Sequence, residues 1–260
     1  MSRPIFLLSL RVRAPSALAA GVGLIAIMAA VGALFPAVGH TIGALHVPKG
    51  VANLLGGADY GTVSGWFGSE IGSIYGPLVV GALAITAASA TIAGEEEDHI
   101  LAVVLSYPVR RSRMVASKSA GTACVVAIVS FSTFVGLIVG VAAAGGGVSL
   151  GHMAALAVQL AFFGLACGAL AVAVAAASGR RGVATGVASS VAVVGWLINS
   201  FAPLVSGLGW LRYLSLYHYY AAGDPLANGI DGGGLVVLAA VSAVLVGAGM
   251  WLIGRRDLRA

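Results

Sequence analysis

Residues 119–179 read SAGTACVVAIVSFSTFVGLIVGVAAAGGGVSLGHMAALAVQLAFFGLACGALAVAVAAASG, 61 consecutive positions without Asp, Glu, Lys or Arg. A helix crosses the hydrocarbon core of a bilayer with about 20 apolar residues, so this run is too long for one crossing and suits two. The three glycines Gly145–Gly147, with Ser149 and His152 just after them, mark the reversal. Spans three and four then occupy roughly 118–143 and 153–177.

The same rule, carried outward, finds four more. Ala17–Phe35 is the first span, ended by Pro36, and the second lies near Pro77–Ala93. Gly182–Leu211 holds the fifth, which stops near Phe201 ahead of Pro203, and Gly232–Gly254 holds the sixth. The fold class is an all-α polytopic membrane protein with six transmembrane helices, a single transmembrane domain over residues 1–260.

Composition agrees. The chain is 59% hydrophobic and 9% charged, with a mean hydropathy of +1.01. A soluble domain carries about 25% charged residues, so this chain has too few to cover a surface in water. Glycine is abundant but has no three-residue period, which excludes collagen. The net charge of +5 sits in short clusters between apolar runs, not on a polar segment with interleaved aromatics, so no nucleic-acid partner is expected. Cys124 and Cys167 fall inside apolar runs and read as small core residues. The charged N-terminus precedes a run long enough to span, and reads as a retained helix in preference to a cleaved signal.

Basic residues set the orientation, because cytoplasmic loops are enriched in Lys and Arg. With both termini inside, Arg3, Arg11, Arg13, Arg110, Arg111, Arg113, Lys118, Arg180, Arg181, Arg255, Arg256 and Arg259 are cytoplasmic, 12 of the 14 cations. Only Lys49 and Arg212 fall outside. Two external segments, 36–76 and 202–231, are rich in aromatics. Their Tyr and Trp residues, Tyr60, Trp66 and Tyr75 among them, read as interfacial anchors ahead of a substrate pocket, and Phe67 is placed with them.

Residues 94–118, GEEEDHILAVVLSYPVRRSRMVASK, form the cytoplasmic link between spans two and three. Glu95, Glu96, Glu97 and Asp98 fill the first turn of a helix, where acidic groups oppose the positive end of the dipole. Ile100, Leu101, Val104 and Leu105 make one apolar face, and Pro108 ends the helix. Arg110, Arg111, Arg113 and Lys118 then return the chain to the anionic inner leaflet. These residues fit an ordinary loop with a capped interfacial helix, and equally an acidic knob for docking a soluble partner.

The segment resembles the signature of ABC-2 type transporter permeases, the membrane subunits of bacterial ABC exporters: a GEEE-like cluster after the second span, an apolar stretch, a Ser-Tyr-Pro-Val-Arg element, then basic residues leading to Lys. GADYGTVSGWFGSEIGSIYGPLV and Tyr213–Gly229 are similar to the family's external regions, and Arg255-Arg256-Asp257-Leu258 to its usual ending. Leu216 departs from a frequent proline. The resemblance implies a permease in the bacterial inner membrane that pairs with a second copy or a homologous permease and docks on two ATPase subunits. It implies that residues 94–113 are the coupling helix, with Glu95–Glu97 facing the ATPase, and that residues 1–15, with Arg3, Arg11 and Arg13, are an N-terminal interfacial helix.

The chain itself has no phosphate loop: Lys49 and Lys118 are its two lysines, and neither lies in a Gly-x4-Gly-Lys-Ser/Thr sequence. It is therefore expected to be no enzyme and to hold no cofactor, with ATP and Mg on a separate ATPase. His40, His46, His99, His152 and His218 lack paired metal spacing. No acid or base falls within an expected span, which argues against the alternative of an ion-coupled carrier. A permease for mechanical signalling or extracytoplasmic protein maturation is the other alternative. Gly136-x3-Gly140, Gly164-x3-Gly168 and Gly182-x3-Gly186 have the spacing of helix–helix seams, and abundance alone would also yield such matches.

Overall fold

The structure is a computed structural model and describes residues 3–43, 60–98 and 110–255. Six helices are long and apolar enough to cross a membrane. They are α1 (Arg3–Gly43), α2 (Val63–Glu97), α3 (Arg111–Ala143), α4 (Leu150–Ser178), α5 (Arg181–Phe201) and, beyond the short helices α6 (Leu216–Ala221) and α7 (Pro225–Asn228), α8 (Gly232–Arg255). Among the described residues there is no strand. The chain reverses between α3 and α4 at the expected glycines. Gly145, Gly146 and Gly147 have φ of +96°, +87° and +104°, values at which a Cβ would be strained.

α4 is the hub of the bundle and packs against α2, α3, α5 and α8. α1 lies along α3. α2 and α4 are the most buried helices, whereas α5 and α8 turn most of their surface outward. The α1–α3 seam depends on small residues. A Cβ on Gly140 would sit 2.5 Å from the Met28 carbonyl oxygen, and one on Gly136 would sit 2.5 Å from Met28 Sδ. Gly164 and Gly168 of α4 likewise abut Val80 and Val126, and Thr122 and Ala84. Two of the three glycine pairs are therefore true seams. Gly182 and Gly186 have open space beside them and are not.

Two helices outrun their expected limits. α1 continues through both Pro15 and Pro36, where the sequence reading ends the span at Pro36. A proline removes one helix hydrogen bond, and within a bilayer the helix has no better alternative for its remaining backbone groups. Residues 3–15, the described part of the expected interfacial helix 1–15, are the first turns of this same helix. α2 begins at Val63 instead of near Pro77, so much of the expected external segment 36–76 is helical. Its 35 residues extend about 50 Å, more than a hydrocarbon core of about 30 Å requires. It is also not uniform: Gly68–Tyr75 and Ala90–Gly94 are π-helical.

The rings expected as interfacial anchors divide. Trp66 and Phe67 are buried; Trp66 donates Nε1–H to the Val31 carbonyl at 3.0 Å and packs edge-on against Phe35 and Tyr60, tying α2 to α1. Tyr217 and Tyr220 are buried too, with their hydroxyls donating to the carbonyls of Ser73 and Gly72. Tyr75, Trp210 and Tyr213 are exposed. Buried Gln159 of α4 donates its amide to the Tyr220 carbonyl and accepts from the Asp231 N–H at 2.8 Å, fixing α6 and the start of α8.

Candidate functional site: a clamp at the basic end

The acidic run Glu95–Glu97 closes α2, and its neighbours come from three other helices. Lys118, in α3, is almost wholly buried, 1% exposed. A bare ammonium in such a place carries a heavy desolvation cost, and it persists only when paired and hydrogen-bonded. Both conditions are met: Lys118 Nζ lies 2.6 Å from Glu95 Oε2 and donates to the Thr91 carbonyl. Thr91 belongs to the π-helical stretch Ala90–Gly94, where the widened turn disturbs the i to i+4 pairing that would otherwise occupy carbonyls.

α5 joins at its first turn. The Arg181 N–H donates to Glu97 Oε1 at 3.0 Å, so a glutamate from α2 caps one of the free donors of α5. Arg13 of α1 is half-buried and within the electrostatic reach of Glu95, Lys118 and Arg181. Arg111 Nη1 reaches the Ile253 carbonyl of α8 at 3.5 Å. Four of the six spans thus meet within one set of charges, with α8 tied on by the Arg111 bond, at the end of the bundle that carries nearly all the described basic residues.

The placement of the expected site residues is uneven. Glu95 and Glu96 turn inward, Glu95 to Lys118 and Glu96 to 1% exposure, while Glu97 and Asp98 are exposed. Arg11 and Arg110 are exposed and Arg111 is half-buried. Ile100, Leu101, Val104 and Leu105, with His99 and Pro108, lie outside the described residues, as do His46, Lys49, Arg256, Asp257, Leu258 and Arg259. Arg3 begins α1.

The spanning helices are longer than the charge-free runs and carry ionisable groups beyond them, among them Arg13 in α1, Glu70 and Glu95 in α2, and Lys118 in α3. Lys118 could have been suspected from its position beside Ser117 and Ser119 in an otherwise apolar run; its partner, 23 residues earlier, could not.

At the opposite end, α2, α5 and the segment through α6 and α7 enclose a cavity of about 420 Å³. Its lining includes Asn199, Arg212, Tyr217, His218, Tyr220 and Asp224. The sequence reading ranks a pocket here below a pair of interfacial anchors. The cavity forms because Tyr217 and Tyr220 turn into the protein.

A comparison with curated proteins found no match. The family model described as "Multidrug efflux system permease Rv1217c, C-terminal domain" matches residues 2–253. With six apolar helices of spanning length over the same residues, the chain belongs to this family of efflux-system permeases and is a multi-pass membrane protein.

Proposed function

We propose that the chain is the membrane-spanning permease subunit of an ATP-driven ABC exporter of the ABC-2 type, seated in the bacterial inner membrane with the clamped end in the cytoplasm. The observation that carries this reading is the fastening of α2, α3 and α5 through Glu95, Glu97, Lys118 and Arg181. A push delivered to residues 94–113 would reach three spans at once, without slack. ATP and Mg are held by a separate ATPase, present in two copies, and a second permease completes the pathway. The chain itself carries out no hydrolysis. The family's description names multidrug efflux, which favours export of apolar or amphipathic cargo over mechanical signalling or protein maturation.

In this reading the acidic cluster has two duties. Glu95 and Glu97 hold α2 to α3 and α5, and Asp98, exposed at the edge, remains for the ATPase. The test is reconstitution with the partner ATPase, measuring copurification and permease-dependent ATP hydrolysis. Reversing Asp98 to Lys, which leaves the Glu97 cap on α5 intact, is expected to abolish the stimulation while leaving the thermal stability of the permease close to the parent. Full stimulation by that variant would overturn the docking role. Failure of any soluble ATPase to copurify would overturn the ABC reading itself.

A further inference from the structure

Arg212 stands against the charge pattern of the chain. Among the described residues, ten of the eleven cations gather at the clamped end of the bundle, and Arg212 lies at the other. It is half-buried, lines the 420 Å³ cavity, and has little to hold it. Its Nη2 donates to the Tyr213 hydroxyl at 3.0 Å, and the guanidinium lies 5.0 Å from the Tyr213 ring centroid. Its Nε is buried with no hydrogen-bond partner, and among the described residues no carboxylate pairs with it. A guanidinium offers five N–H donors in a planar fork, and leaving one of them buried and unmade costs the full desolvation of that group.

The neighbouring imidazole completes a receptor. His218 lines the same cavity, with Nδ1 3.2 Å from Asn199 Oδ1. With the Nδ1 proton directed at that oxygen, Nε2 is the nitrogen left to take up a proton. Arg212 and Asp231 are the charges that act on the ring, and Tyr213 and Tyr219 pack edge-on against it. Burial, then the charge of Arg212, keeps the imidazole below its ordinary value. An anion between the two would cancel the repulsion and favour the imidazolium.

We propose that this cavity binds the phosphate or carboxylate of an anionic ligand, held by the Arg212 fork and by His218, which takes up a proton as the ligand enters. Asp224 also lines the cavity and opposes the anion. It is exposed to solvent, where water screens it, whereas the buried Nε of Arg212 is not screened. A fork of parallel donors suits planar carboxylates and phosphates better than halide ions. The proposal is independent of the exporter reading, because binding needs neither the ATPase nor transport.

The test uses the full chain in phosphatidylcholine nanodiscs, titrated calorimetrically with inorganic phosphate and with dihexanoyl phosphatidic acid below its micelle concentration. Binding is expected, about tenfold or more weaker in Arg212→Gln and partly restored in Arg212→Lys. Titration in buffers of different ionisation enthalpy should show proton uptake that His218→Gln abolishes. Binding by phosphatidic acid alone identifies a lipid head group, binding by phosphate alone a soluble anion, and competition between them a site open to both. Absence of binding to either, or equal binding by the parent and Arg212→Gln, overturns the proposal. Asp224→Asn guards against a misfolded Arg212 variant: removing the screened opposing carboxylate should leave binding unchanged or tighten it, and weaker binding counts against the site.

Discussion

Lys118 Nζ and Glu95 Oε2 lie 2.6 Å apart, yet the two partners are not equally hidden: Lys118 is 1% exposed and Glu95 26%. The pair is therefore open on its acidic side only. Glu95→Gln leaves an ammonium sealed among α2 and α3, and is expected to cost roughly 3–5 kcal/mol, the range for a buried charge stripped of its partner. Lys118→Met leaves a carboxylate that water can reach, and should cost less, about 1–3 kcal/mol, mainly through the lost hydrogen bonds. Unfolding of the two variants and of the double variant in detergent measures the order and the coupling. An equal loss in both single variants would show that Lys118 is hydrated in the membrane.

The α1–α3 seam makes a sharper contrast. Gly140→Ala places a methyl group 2.5 Å from the Met28 carbonyl oxygen and 2.8 Å from Phe67 Cζ. The first neighbour is backbone and cannot rotate away, so the helices must separate, at about 1–3 kcal/mol. Gly186→Ala meets nothing within 4 Å and is expected to be neutral or slightly stabilising, by up to about 1 kcal/mol through helix propensity. The apparent melting temperatures of the two variants decide it.

The six crossings were legible because lipid enforces them: a chain stretch without charges long enough to span has few other places to go. The reversal at Gly145–Gly147 was legible for the same reason, with 61 uncharged residues requiring a turn between two spans. The pairing of Lys118 with Glu95 was not. Each residue, taken singly, reads as an interfacial charge, and only the packing of α2 on α3 brings them together. The aromatic residues misled in a related way. A tyrosine near the membrane surface has the same composition signature whether its ring faces lipid or, as with Tyr217 and Tyr220, the backbone of a neighbouring helix.

Trp66 checks that last distinction. Its indole is 6% exposed, against 58% for Trp210 and 56% for Trp251. Trp66→Phe is expected to destabilise by about 1 kcal/mol through the lost bond to the Val31 carbonyl, and Trp66→Ala by roughly 3–5 kcal/mol as a cavity opens. Fluorescence quenching by acrylamide should become more complete in Trp66→Phe, because the variant loses a protected indole. Unchanged quenching would place Trp66 at the lipid surface after all.

Tyr217 links the fold to pH. Its hydroxyl donates to the Ser73 carbonyl at 3.1 Å, and burial pushes its phenol up to about 12; an unfolded tyrosine ionises near 10. Because the folded value is the higher one, the contribution of this group is fully present below pH 10 and is lost as the pH rises from about 10 towards 12. Tyr220, buried beside it, is raised in the same direction by burial and by the neighbouring Tyr217 and Asp224. Tyr217→Phe should lower stability at pH 8 by about 1 kcal/mol and flatten the alkaline decline, and the double Phe variant should flatten it further. The measurement is apparent melting temperature against pH from 8 to 12. A decline as steep in the double variant as in the parent would mean that solvent reaches both phenols, and that α6 does not seal against the π-helical stretch of α2.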